Sequence, residues 1–282
     1  MGNTLFNNSS WAGQEYQYNL LVSGGGVRKD IQVKDNHLYC TPERGQGYNA
    51  FGQYTLGDDM EVTRNQFIGG YLPLTVERQK KFTFTGNRVY CPPGGVFAVA
   101  LNSPDEVDLK KYAWDQNEYF DQGTAHFRAA KILADGTISG VTMDFQTWQK
   151  ATQFDAHSKY SAAAPTGIWT YVTPNSYEPG RANITIYNFD AADSVAIDLA
   201  GACDFNGQSV VLLRGGDRYT IHDAQNFFGP PIVEAAYDGS GKIAIPMTAT
   251  AKSAANAGLD PGPHTDKRFG VFVLRQVAAR DK

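Results

Sequence analysis

The sequence predicts an all-β chain: a solenoid of stacked β-coils over residues 1–165, then an antiparallel β-sandwich over residues 166–282. Three observations predict it. One short pattern centred on asparagine recurs five times in the first half, short alternating segments precede most of those asparagines, and after Pro165 the repeat gives way to separate β-runs divided by turn signals.

The five copies are Asn3-Thr4-Leu5-Phe6, Asn36-His37-Leu38-Tyr39, Asn65-Gln66-Phe67-Ile68, Asn87-Arg88-Val89-Tyr90 and Asn117-Glu118-Tyr119-Phe120. Their spacings of 33, 29, 22 and 30 residues are those of one coil per repeat with loops of differing length. Alternation before the asparagines points Ile31/Val33, Met60/Val62, Phe82/Phe84 and Tyr112/Trp114 inward on one strand. The chain then corners at the asparagine, which tolerates left-handed backbone and whose amide can bond to the copies above and below. A second short strand follows. It turns Leu5, Leu38, Phe67, Val89 and Tyr119 inward and Phe6, Tyr39, Ile68, Tyr90 and Phe120 outward.

These residues resemble the right-handed parallel β-helix proteins of the pectin-lyase-like group, whose stacked coils carry an internal asparagine ladder. The resemblance covers roughly residues 1 to 125. A further segment, Trp148-Gln149 with Thr152, Asp155 and Ser158, is similar to the W-Q-x-x-T-x-x-D-x-x-S stretch that closes such β-helices in bacterial carbohydrate-active proteins, and marks the last coil. The resemblance implies carbohydrate as the ligand and export from the cell, although the N-terminus reads as no signal peptide. The repeat starts at Asn3 with no preceding cap, which predicts that an upstream region or another copy of the chain covers that end.

In the second half the predicted strands are 168–172, 184–187, 195–199, 210–213, 219–222, 243–246 and 271–274, separated by turns such as Asn206-Gly207 and Asp238-Gly239. Residues 251–265, rich in Ala, Gly and Pro, read as a loop. The sandwich is similar in architecture to accessory domains of carbohydrate-active enzymes.

Composition narrows the partners. With 282 residues, 42% of them hydrophobic, the chain can bury a sizeable core, and a net charge of −4 with only 19% charged residues lacks the basic surface of a nucleic-acid binder. No apolar run is long enough to span a bilayer. Cys40, Cys91 and Cys203 form no C-x-x-C pair, the five histidines are scattered, and no dinucleotide, phosphate-loop or nucleophile-elbow motif occurs, so the sequence implies neither cofactor nor metal.

In proteins of the resembled group, substrate lies along an outward parallel sheet. Here the outward positions are Gln32/Lys34, Glu61/Thr63, Thr83/Thr85 and Ala113/Asp115. Glu61 and Asp115 are the two outward carboxylates, two coils apart and offset along the strand. That separates them by on the order of 10 to 12 Å, beyond the roughly 5 to 9.5 Å of glycosidase carboxyl pairs. Lys34 and Glu61 are expected to pair loosely, as are Arg88 and Glu118. Asp155 and His157 form a further candidate acid/base pair, against a turn-capping role for Asp155.

The outward aromatic column, with Tyr39, Tyr90 and Phe120, must be covered by other parts of the protein or used to stack on sugars. Trp114 with Tyr119, and Trp11 with Tyr16 and Tyr18, are further aromatic-polar clusters. The candidate catalytic residues are therefore Glu61, Asp115 and Asp155, and the candidate sugar-binding residues Lys34, Tyr39, Tyr90, Trp114 and Phe120.

Three functions compete. A glycoside hydrolase or polysaccharide lyase requires converging groups on the helix face. A noncatalytic polysaccharide-binding module fits the carboxylate-poor strip and the open first coil. A self-associating structural protein would use that open end. The reading favoured is a carbohydrate-interacting protein of a polysaccharide-degrading system.

Overall fold

The structure, a computed structural model, describes residues 2–7, 18–26, 28–41, 47–204, 206–248 and 264–277. It divides into two compact units, residues 1–165 and 166–282.

The first unit winds through four coils of three strands each. They are β1 (Thr4–Phe6), β2 (Tyr18–Val22) and β3 (Ile31–Lys34); β4 (His37–Tyr39), β5 (Tyr48–Phe51) and β6 (Gly57–Thr63); β7 (Gln66–Ile68), β8 (Leu72–Glu77) and β9 (Gln79–Thr85); and β10 (Arg88–Cys91), β11 (Phe97–Pro104) and β12 (Tyr112–Asp115). A fifth coil begins with β13 (Glu118–Asp121) and β14 (His126–Ile132), then turns back as β15 (Ile138–Met143). A helix, α1 (Phe145–Thr152), and β16 (Lys159–Ser161) finish the unit.

Equivalent strands of successive coils pair with one another. Sheet 1 runs β1-β4-β7-β10-β13-β16 and sheet 3 runs β3-β6-β9-β12, both wholly parallel. Sheet 2 runs β2-β5-β8-β11-β14 in parallel, with β15 added antiparallel at its end. This is a parallel β-helix. The inward positions read from alternation hold: Val33, Met60, Val62, Phe82, Phe84, Tyr112 and Trp114 from sheet 3 meet Leu38, Phe67, Val89 and Tyr119 from sheet 1 in one core. Its aromatic rings run from coil to coil, with Phe84 and Trp114 at 4.7 Å and Trp114 stacked on Phe154 at 5.5 Å.

The asparagine corner differs from expectation in one respect. The left-handed residue is the one before each asparagine: Gly2, Asp35, Arg64, Gly86 and Gln116 all have φ between 55° and 69°. Each asparagine then sends its amide to the next coil. In the second coil Nδ2 and the main-chain N–H of Asn36 both donate to Oδ1 of Asn65, at 2.8 and 2.9 Å. The same double bond joins Asn3 to Asn36, Asn65 to Asn87, and Asn87 to Asn117. Spare Nδ2 protons go to carbonyls such as Val33 and Val62. The ladder therefore satisfies amides that the tight corner would otherwise bury without partners, at about 1–3 kcal/mol each.

The W-Q-x-x-T-x-x-D-x-x-S segment closes this core. Asp144 caps α1 by accepting from the Thr147 N–H at 2.7 Å, and Gln153 ends it in the left-handed region. The helix buries Phe145 and Trp148 over the last coil. Each motif residue has a structural bond. Trp148 Nε1 donates to Asp155 Oδ2 (2.9 Å), Gln149 Nε2 to the Asp155 carbonyl (2.6 Å), Thr152 Oγ1 to the Trp148 carbonyl (2.7 Å) and Ser158 Oγ to Asp155 Oδ1 (2.6 Å).

The second unit contains an antiparallel sheet 4 in the order β17 (Ile168–Pro174), β18 (Arg181–Asn188), β23 (Phe269–Gln276), β20 (Arg218–Asp223), β21 (Val233–Ala236). A smaller pair, β19 (Ser194–Asp198) with β22 (Lys242–Pro246), forms sheet 5. Their apolar faces share a core that includes Ile184, Ile186, Val195, Ile197, Ile221, Ile245 and Leu274, which is the expected sandwich-like arrangement. Two details depart from the sequence reading. Residues 210–213 form no strand, although Leu212 and Leu213 are buried, and β21 is an added strand, a short run with alanines at two of its four positions directly after Pro230-Pro231-Ile232. Residues 251–263 of the expected loop lie outside the described residues.

Candidate functional site

The solvent face of sheet 3 carries the predicted strip. Parallel register aligns Gln32, Glu61, Thr83 and Ala113 in one row and Lys34, Thr63, Thr85 and Asp115 in the next. Glu61 and Asp115 therefore sit in different rows with a whole strand between them, and they do not converge. Lys34 Nζ bonds Glu61 Oε2 at 2.7 Å across neighbouring coils. Thr63 is buried, while the other side chains of the strip keep some exposure.

Asp115 finds a partner that sequence reasoning assigned elsewhere. His157 bonds Asp115, not Asp155: its Nδ1 lies 2.6 Å from Asp115 Oδ2 and its N–H donates to Asp115 Oδ1 at 2.7 Å. Partial burial alone would raise the Asp115 pKa, but the His157 ring and N–H together hold it below the ordinary carboxylate value. The left-handed backbone of Asp155 turns the chain there, so its own carboxylate points into the core and the His157 ring out to the strip. Beside this pair is a shallow pocket of about 250 Å³ lined by Gly86, Arg88, Gln116, Glu118, His157 and Lys159. Arg88 and Glu118 form the expected ion pair at 2.8 Å.

The remaining candidates other than Phe120 are inside. Asp155 is fully buried, accepting from Asn117, Tyr119, Trp148 and Ser158; burial raises its pKa despite those bonds. Trp114 is 3% exposed, donating from Nε1 to the Tyr119 hydroxyl at 2.9 Å. The column read as an outward stripe is covered in its middle: Tyr39, Ile68 and Tyr90 are buried, and only Phe6 and Phe120 at its ends are half-buried. Trp11 and Tyr16 lie outside the described residues.

One polar cluster escaped the sequence reading altogether. On sheet 2 Glu77 is buried; Asn102 Nδ2 donates to its Oε1 at 2.9 Å and Arg78 Nη1 stands 3.6 Å from Oε2. Burial lifts its pKa above the usual carboxylate value, against the pull of Asn102, Arg78 and Arg128. Arg78 also donates to the Gln53 carbonyl, and the Gln53 amide reaches the hydroxyls of Tyr18 and Tyr48, which bond each other at 2.7 Å. The only sequence signal was a carboxylate ending the alternating run Leu72 to Glu77. Among the described residues no group of three His, Cys, Asp or Glu side chains could hold a metal, and no helix is long and apolar enough to cross a membrane.

Comparison with known proteins adds no identity. No family model, curated protein or solved structure matches the chain.

Proposed function

We propose that this chain is a carbohydrate-interacting β-helix protein, akin to the pectin-lyase-like group, that binds polysaccharide without cleaving it and serves a polysaccharide-degrading system. The observation that carries this reading is the solvent face of sheet 3. It is a flat strip of hydroxyl, amide, ammonium and carboxylate groups repeated at strand spacing across four coils, with its two carboxylates set in different rows. Such a strip offers repeated hydrogen bonds to an extended chain of sugar hydroxyls, yet brings no second carboxylate to a glycosidic bond.

The test is a panel of plant, algal and bacterial polysaccharides, run in affinity gels and assayed in parallel for reducing ends and unsaturated uronates. Retardation without new ends supports the reading. Absence of both signals rejects it.

A second reading, a glycoside hydrolase or lyase, draws support from Glu77. A buried carboxyl whose pKa is raised by burial is the kind of group that serves as a general acid or base. If any member of the panel is cleaved, Glu77→Gln should abolish cleavage, and Glu61→Gln and Asp115→Asn should leave it.

A further inference from the structure

Strand β15 ends sheet 2 and pairs only with β14. Among the described residues no strand meets its other edge, so that edge presents unpaired backbone groups to solvent. Natural sheets blunt such an edge with charge, proline or a bulge. In the second unit β17 ends at Pro174, and β21 carries Glu234. β15 carries little of this: Ile138-Ser139-Gly140-Val141-Thr142-Met143 contains neither charge nor proline, its one register irregularity is confined to Met143, which pairs with both His126 and Phe127, and it is exposed from Ile138 to Thr142.

Its inner face is also open. Val141 pairs in register with Ala129, on the side that faces the core in earlier coils, yet it is 64% exposed. Below it lies a groove of about 470 Å³ floored by Leu101, Val107, Leu109 and Ala129, with the neutral ion pair of Lys131 and Asp105 (2.6 Å) at its rim. The hairpin pairs closely at Gly140, where a Cβ would approach the Ala130 Cβ to 2.3 Å.

We infer that the free edge of β15 is a self-association surface, to which a second copy of this chain adds its own β15 antiparallel about a twofold axis at Val141. Residues opposite each other in antiparallel strands share a face, so a twofold-symmetric pairing can centre on a residue. Centred on Val141, it sets the most exposed apolar side chain of each strand against its symmetry mate, Gly140 opposite Thr142, and Ser139 opposite Met143. Every such pair is uncharged, and the groove rim is neutral, so two identical edges meet without the like-charge opposition that destabilises a ladder. The joined grooves become continuous beneath the added strand. One strand pair buries less than the standard interface of roughly 1,600 Å², so the dimer is weak and concentration-dependent. This inference does not rest on the carbohydrate reading.

Sedimentation velocity over a wide concentration range tests it. The wild-type protein should shift from monomer to dimer as concentration rises. Val141→Lys, which sets two ammonium groups across the axis, should remain monomeric with an unchanged circular dichroism spectrum and unfolding midpoint. In a Cys203→Ser background, Val141→Cys should oxidise to a covalent dimer, since opposed strand residues lie about 4.5–5.5 Å apart at Cα. A wild-type monomer at every concentration, or a dimer untouched by Val141→Lys, overturns the inference; the latter would move association to another surface such as the first coil.

Discussion

Asp155 ends the side-chain ladder, its Oδ1 accepting from Nδ2 of Asn117 at 3.2 Å, while Ser158, at the ladder position of the next turn, accepts the Asn117 main-chain N–H on its Oγ at 2.8 Å and donates to the same Asp155 oxygen. Each asparagine from Asn36 to Asn117 accepts from the one beneath and donates upward, so the stack has a direction and its last acceptor has no asparagine to donate to. A carboxylate ends such a chain because it only accepts. Asp155→Asn keeps the shape but turns one oxygen into a donor, facing either Asn117 or the Trp148 N–H. The variant should lose about 2–3 kcal/mol of stability, measured by urea unfolding. Stability equal to wild type would mean that the carboxylate is not needed as the terminator.

Within the stack an asparagine holds more bonds, and its removal costs more. Asn65 accepts twice from Asn36 and donates to Val33, Thr63 and Asn87. Asn65→Ala removes these bonds at a fully buried corner and should cost about 3–5 kcal/mol, the sum of two or three orphaned groups. The unfolding midpoint reads it, and a change below about 1 kcal/mol would show that water replaces the ladder.

What the sequence revealed follows from which contacts are encoded locally. The ladder was legible because its bonds need an asparagine at one place per coil, and the core positions were legible because alternation fixes which side of a strand a residue faces. The left-handed position before each asparagine was not, since Gly2, Asp35, Arg64, Gly86 and Gln116 share no side-chain chemistry. The Lys34–Glu61 pair followed from register, whereas the pairing of His157 with Asp115 depends on the closing segment folding back across 42 residues. Burial of Tyr39 and Tyr90 depends on what lies over a strand, and alternation cannot report that. Glu77 was hidden for the same reason: besides its neighbour Arg78, its environment is made by Asn102 and Arg128 from later coils.

In the second unit His264 predicts a pH dependence. Its Nε2 lies 2.5 Å from Asp223 Oδ2 and its Nδ1 2.5 Å from the Thr265 carbonyl, both acceptors, so the ring that satisfies both is the protonated one. Burial opposes the charge, but these bonds outweigh it and raise the His264 pKa above the ordinary imidazole value. The folded state thus holds the proton more tightly than the unfolded chain. Its stabilisation is complete below the unfolded imidazole pKa of about 6.5 and is lost as pH rises through the folded value. Thermal unfolding across this range should show the second unit weakening with rising pH, and His264→Gln should flatten the slope. An unchanged slope in the variant would assign the dependence to another group.

The strip on sheet 3 can be separated from the fold because its charges are partly exposed. The Asp115–His157 pair leaves the His157 ring largely in solvent, and pairs of that kind contribute within about 1 kcal/mol. His157→Ala and Glu61→Gln should therefore shift the unfolding midpoint little. If the strip binds polysaccharide, the same two variants should each weaken retardation in affinity gels by several-fold, and the double variant by roughly their product, since the residues lie on different coils. Variants that retain full retardation would remove the strip from the binding surface and leave the Glu77 cluster on sheet 2 as the place to test, because it lies on a different sheet and its Tyr18 and Tyr48 rings offer the stacking surface that the strip lacks.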